Sequence, residues 1–148
     1  MSKSSAGLHL IMDGYVKDSG VFTRGNLEAL FSKLITALEM KPLDKVLVYE
    51  VPVDPEVLER VKRTGTFEDE GGISTLQVIS TSHLSLHAWP LQSFFSADCF
   101  SCKTFNVDLA ISIVKESLGV YTDNTIVLHR EKPANRDDSL SITHHFKF

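Results

Sequence analysis

The chain is poor in cysteine, with only Cys99 and Cys102 in 148 residues. Two residues between them would close a short, strained disulfide loop, which excludes a disulfide-stapled scaffold. They read instead as thiols with a local task or as core residues. Long hydrophobic runs are also missing. The apolar stretch 8–12 is too short for a signal-peptide core and far too short for a membrane span, so the expectation is a cytoplasmic protein with no membrane partner. Basic excess is missing as well: the net charge of −4 comes from acids and bases mixed along the chain. Without a basic stripe to meet a phosphate backbone, nucleic acid is excluded as a partner. No internal repeat of convincing length occurs, and the length is that of one domain. Apolar residues make up 43% and charged residues 23%, the balance of a soluble globular chain able to bury a core.

Local pattern divides the chain into short strands and amphipathic helices. Residues 8–15 alternate loosely and predict a first strand, ended by the turn chemistry of Lys17, Asp18, Ser19 and Gly20. Between residues 26 and 40, Leu27, Leu30, Phe31, Leu34, Ile35 and Leu38 recur at spacings of three and four, which is one buried helix face. Pro42 stops that helix, and residues 45–51, rich in β-branched and aromatic side chains, predict a second strand. Asp54 caps a short helix with Pro55 at its first position. Residues 74–79, 83–89 and 97–102 read as three further strands, followed by a helix capped by Asn106 and a strand at 125–128. Residues 140–148 alternate and predict a last strand that closes the sheet or pairs with another subunit. Strands outnumber helices, and both long helices have one apolar face. The predicted fold is therefore an α+β two-layer sandwich, with helices on one face of a mostly antiparallel sheet.

Chemistry concentrates between Gly72 and Cys102, where Ser74, Ser80, Thr81, Ser82, His83, Ser85, His87, Asp98, Ser101 and Cys102 interrupt apolar strands. A buried polar group left unpaired costs about 1–3 kcal/mol, so this density points to a site. The alternative is a sheet whose hydroxyls and imidazoles face solvent at alternate positions.

The segment resembles the bacterial and archaeal S-adenosylmethionine decarboxylases. Their hallmark is a serine, a histidine, a histidine-aromatic-proline stretch and an Asp-x-Phe-x-Cys strand. Here the matching residues are Ser82, His83, His87, Trp89, Pro90, Asp98, Phe100 and Cys102, with Ser74 eight residues before Ser82. Residues 9–15 are similar to the family's first strand, with Asp13 where an acidic residue is usual. The resemblance covers most of the chain, with an added loop before Gly71 and a longer C-terminal tail. It implies a proenzyme cleaved between Thr81 and Ser82 into residues 1–81 and 82–148, Ser82 becoming a pyruvoyl group that replaces any added cofactor. It further implies that Ser74 and His87 assist processing. Cys102 would return a proton to a substrate carbon after a Schiff base has formed and carbon dioxide has left. The active protein would be a homodimer of processed protomers taking a small-molecule substrate.

The resemblance departs at three positions. Thr81 stands where the family has glutamate, Lys103 replaces a glycine, and Leu91 replaces the glutamate that holds the ribose hydroxyls of S-adenosylmethionine. An apolar side chain cannot make those hydrogen bonds, which admits arginine or ornithine as substrate instead. Asp13 and the run Glu68, Asp69 and Glu70 are candidates for holding the distal cation of such a substrate, and Phe67 for stacking on an adenine or lining the core. Thr81 and Leu91 together also admit an uncleaved homologue acting as a binding or regulatory subunit. The spacing of His83, His87, Cys99 and Cys102 resembles a zinc site. Residues three apart on a strand face opposite ways, however, so the two cysteines could share an ion only across a turn, and no metal is expected.

Overall fold

Apolar side chains recur at every second position through residues 8–12, 84–88 and 95–99, and this period becomes the buried face of a sheet. The computed structural model of the protein describes residues 4–134. Its strands are β1 (Ser5–Val16), β2 (Leu47–Val51), β3 (Gly72–Ile79), β4 (Ser82–Trp89), β5 (Phe94–Ser101) and β6 (Val120–Glu131). They form one sheet in the order β2-β3-β4-β5-β1-β6, antiparallel at every junction. The helices are α1 (Arg24–Ala37), α2 (Pro55–Thr64) and α3 (Val107–Leu118).

Helices α1 and α3 bury Leu27, Leu30, Phe31 and Leu34, and Ala110, Ile113, Val114 and Leu118, in one core with the sheet residues Leu10, Met12, Leu84, Leu86 and Phe95. Each such large side chain contributes about 1.5–3 kcal/mol on burial, so this contact layer is the main source of stability. The expected two-layer α+β arrangement is the one observed. Asp54 accepts from the amides of Glu56 and Val57, and Asn106 from that of Leu109, so both caps read from the sequence hold.

Several boundaries differ from expectation, most by two or three residues, β1 and β5 each starting three residues early, and two of the differences have a plain physical reason. Helix α1 ends at Ala37 and not at 40, because Glu39 turns to φ 54° and breaks the helical run. Strand β6 is far longer than 125–128, pairing with β1 from Ser5↔Glu131 to Val16↔Val120. Its outer stretches are mostly polar and largely exposed, so pairing with a long neighbour, and not alternation, makes them a strand. The strand expected at 140–148 lies outside the described residues.

The other face of the sheet carries no helix among the described residues, and its register arranges side chains in transverse rows. Trp89, Phe94 and Tyr15 occupy one row. The next holds Ser74, His87, Ser96, Asp13 and Asn124. Further along come Ser85, Asp98 and Ile11, and then His83, Phe100 and His9. The polar residues do alternate with core positions, as a half-solvated sheet would require. They also bond to one another, which such a sheet does not require.

Candidate active site

Strands β3 and β4 are joined through Ser80 and Thr81, with Ile79 paired to Ser82. Two-residue hairpin loops ordinarily place positive φ on their central residues, which favours Asn and Gly. Here neither central residue takes positive φ; Ser82 does, at 145°. That conformation costs a non-glycine residue about 1–3 kcal/mol and persists only where the surroundings enforce it. They do so here: the Ser80 amide donates to the Lys41 carbonyl at 2.9 Å, and the Thr81 carbonyl accepts from the Cys102 amide at 2.8 Å. The buried Ser101 hydroxyl donates to Thr81 Oγ1 at 2.9 Å and accepts from the Lys103 amide at 3.1 Å. Gly7 of β1, at φ 125°, lets this backbone close up, since a Cβ there would fall 2.2 Å from the Ser101 carbonyl oxygen. A cleft of about 200 Å³ lined by Lys41, Ser80, Thr81, Ser101 and Lys103 opens beside the junction.

A second cluster lies in the polar row. Ser74 Oγ and His87 Nδ1 are 2.8 Å apart across β3 and β4, and the Ser96 hydroxyl donates to Asp13 Oδ1 at 2.5 Å. His87 is exposed while its ring is tethered, which suits a group that exchanges protons. His9 Nε2 meets Asp98 Oδ1 at 2.7 Å further down the same face.

The two clusters are separate within one chain. Five residues of extended strand put Ser82 and His87 about 17 Å apart. Alternation also sets His87 on the helix-free face and Ser82 in phase with the buried Leu84 and Leu86. Ser82 and Cys102 therefore share one end of the sheet, while Ser74 and His87 stand together nearer the other.

The remaining candidates disperse. Phe67 is 85% exposed and lines no core. Leu91 sits exposed in a single 3-10 turn, Pro90–Gln92. The acidic run does not act as a unit: Glu68 pairs with Arg60, Asp69 accepts from the Gly71 amide, and Glu70 is buried and hydrogen-bonded to Gln92. His83 and His87 lie on the helix-free face. Cys99 lies on the other, buried, where desolvation first and then the Asp98 charge push its thiol up to about 12. The residues that sequence reasoning passed over are Ser96, which partners Asp13, and the Thr81 partnership of Ser101. Both bonds link residues far apart in sequence, and only strand register reveals them.

The fold defined by this sheet and its helices is that of a known class. The crystal structure of the adenosylmethionine decarboxylase from Aquifex aeolicus VF5 superposes with a TM-score of 0.66 at 17% identity, covering 90% of this chain and 97% of that one. The sequence profile described as S-adenosylmethionine decarboxylase matches residues 8–131, and the chain belongs to that family. Among curated relatives, the S-adenosylmethionine decarboxylase proenzyme of Anoxybacillus flavithermus is 36% identical over 59 residues, which cover 40% of this chain and 48% of that protein. S-adenosylmethionine decarboxylase proenzyme 2 of Bacillus anthracis is 38% identical over 52 residues, 32% of this chain and 42% of that protein. The chain spans about half the length of the curated relatives it matches. Among the described residues no helix is long and apolar enough to cross a membrane.

Proposed function

We propose that this chain is a proenzyme that cuts itself between Thr81 and Ser82 and becomes a pyruvoyl-dependent decarboxylase of S-adenosylmethionine, serving polyamine biosynthesis. The observation that carries this reading is the junction itself: a carbonyl already resting on a backbone donor, next to a serine at φ 145°. Membership of the family and the proenzyme names of the relatives support it.

Ser82 Oγ attacks the Thr81 carbonyl carbon and gives up its proton to a base, and the oxyanion that forms is held by the Cys102 N–H. Collapse expels the Ser82 nitrogen, which takes up a proton, and leaves an ester. A base then removes the Ser82 α-proton; the freed electron pair forms the Cα–Cβ double bond, and Thr81 leaves as a carboxylate. The enamine at position 82 tautomerises to an imine, which water hydrolyses to the pyruvoyl group with release of ammonia. His87, tethered to Ser74, is the candidate base, because neutral imidazole accepts protons near pH 7. Once formed, the pyruvoyl carbonyl supplies an electron sink for a substrate amine while carbon dioxide leaves. Cys102, exposed next to the junction, is the candidate donor of the returning proton.

Because Ser74 and His87 are remote from Ser82 in the same chain, the reading includes a homodimer. Two copies associate across a two-fold axis so that the Ser74–His87 cluster of one meets the end of the partner's sheet that carries Ser82 and Cys102. Asp13, held by Ser96, faces the same space.

Leu91 favours a second reading of the substrate. It is exposed and apolar where the family resemblance calls for a ribose-holding glutamate, which suits arginine or ornithine. The denatured mass spectrum of freshly purified protein tests the processing. Two fragments divided before position 82, the second blocked to Edman degradation, are expected, and a single full-length mass would point to an uncleaved binding or regulatory homologue. Product amines released from S-adenosylmethionine, arginine or ornithine then distinguish the substrates.

A further inference from the structure

Thr81 is held through both of its oxygens by consecutive residues at the end of β5. Its carbonyl accepts from the Cys102 amide at 2.8 Å and its hydroxyl from Ser101 at 2.9 Å. Ser101 cannot yield easily, since it is only 2% exposed, its own oxygen is held by the Lys103 amide, and its backbone is paired opposite Ser82. A rotation of Thr81 that let Ser82 relax from φ 145° would have to break both bonds at once. The hydrogen bond that the Ser101 hydroxyl donates to the junction ends on the Thr81 side chain and not on the scissile carbonyl.

We propose that Ser101 is a positioning residue for self-cleavage: by clasping Thr81 it keeps the scissile carbonyl on the Cys102 N–H and Ser82 in its strained conformation. This rests on the self-processing reading above. The clasp needs an acceptor oxygen on the side chain before the cut, which the Thr81 hydroxyl supplies here. It acts before any bond breaks, and severing the peptide bond releases Ser82 from the strain. The device thus favours departure from the uncut state without adding a group to the chemistry.

The test follows cleavage of the full chain by denatured mass spectrometry after a pulse of cell-free synthesis. Loss of one clasping bond is expected to slow Ser101→Ala about tenfold, the order of effect of a single hydrogen bond on a barrier. Ser101→Thr, which keeps the hydroxyl, should cut within about threefold of the parent rate, and Thr81→Val should slow as Ser101→Ala does. The double variant should be no slower than Thr81→Val alone, a coupling that general loosening would not produce. Hydroxylamine, which intercepts the ester as a Thr81 hydroxamate and a free Ser82 amine, should trap less ester from Ser101→Ala than from the parent. Parent-like cleavage of Ser101→Ala, or of Thr81→Val should the first variant not fold, overturns the clasp and leaves self-processing standing. A parent chain that stays whole with and without hydroxylamine overturns both.

Discussion

Ser74 and His87 face each other across the β3–β4 hairpin with Oγ and Nδ1 2.8 Å apart, and the serine that the resemblance pairs them with lies five residues away along β4. The proposed homodimer, with a site assembled from two chains, would resolve that separation and would have a measurable signature. Co-expressed His87→Ala and Cys102→Ala chains should show decarboxylase activity although each alone is inactive. The expected level is about a quarter of the parent's, because about half of the dimers are mixed and each mixed dimer keeps one intact site. No activity in the mixture, from a dimer shown to have exchanged, would put both clusters to work within one chain.

The substrate prediction turns on Leu91. If S-adenosylmethionine is the substrate, Leu91→Glu should lower its KM by tenfold or more, since a buried or half-buried hydrogen bond to a charged group is worth about 1.5–3 kcal/mol. If the substrate is arginine or ornithine, the same change should leave KM for S-adenosylmethionine unmeasurably high. Steady-state release of carbon dioxide from each labelled substrate checks it.

Much of this architecture was legible from periodicity. The α1 stripe from Leu27 to Leu34 and the caps Asp54 and Asn106 are local signals, and local physics decides them. Strand β6 was seen only in its apolar middle, since its remaining residues are ordered by pairing with β1 and carry no inside or outside pattern. The same limit governs the site. Ser74, Ser82, His87 and Cys102 stand out as polar residues at fixed spacing, but their division into two clusters follows from register and strand length, which spacing alone does not convey. Ser101 looks like one more hydroxyl in the run until β5 is laid beside the turn that holds Thr81.

The two cysteines should differ sharply in reactivity. Cys102 is exposed, whereas Cys99 is buried and its thiol is pushed up to about 12. Iodoacetamide at pH 8 should therefore add once to the folded protein, at Cys102, and twice after denaturation, as read by peptide mass mapping. The shift also gives stability a sign. An unfolded thiol ionises at roughly 8.5, so the contribution of neutral Cys99 is intact below that pH and is lost as pH rises toward its folded value. The melting temperature should fall above about pH 9, and less steeply in Cys99→Ala.

Gly7→Ala probes the close approach of β1 to the end of β5. The new Cβ would lie 2.2 Å from the Ser101 carbonyl oxygen at a backbone φ of 125°, so strain and overlap act together. A loss of at least about 2 kcal/mol in chemical denaturation is expected, with slowed self-cleavage because Ser101 and Cys102 must shift away from Thr81. Unchanged stability with unchanged cleavage would mean that β5 ends more loosely than its hydrogen bonds indicate.

Thr75 offers the opposite outcome. Its side chain is 1% exposed on the helix-covered face of β3, and its hydroxyl oxygen has no hydrogen-bond partner among the described residues. Valine has nearly the same shape without the polar atom, and removing an unsatisfied buried hydroxyl removes its desolvation cost. Thr75→Val should therefore leave the fold intact and raise stability by about 1 kcal/mol. Equilibrium denaturation measures this directly. A loss of stability would instead mean that the Thr75 hydroxyl is bonded in solution, through a water enclosed between β3 and the helices, and that position 75 belongs to a hydrated core.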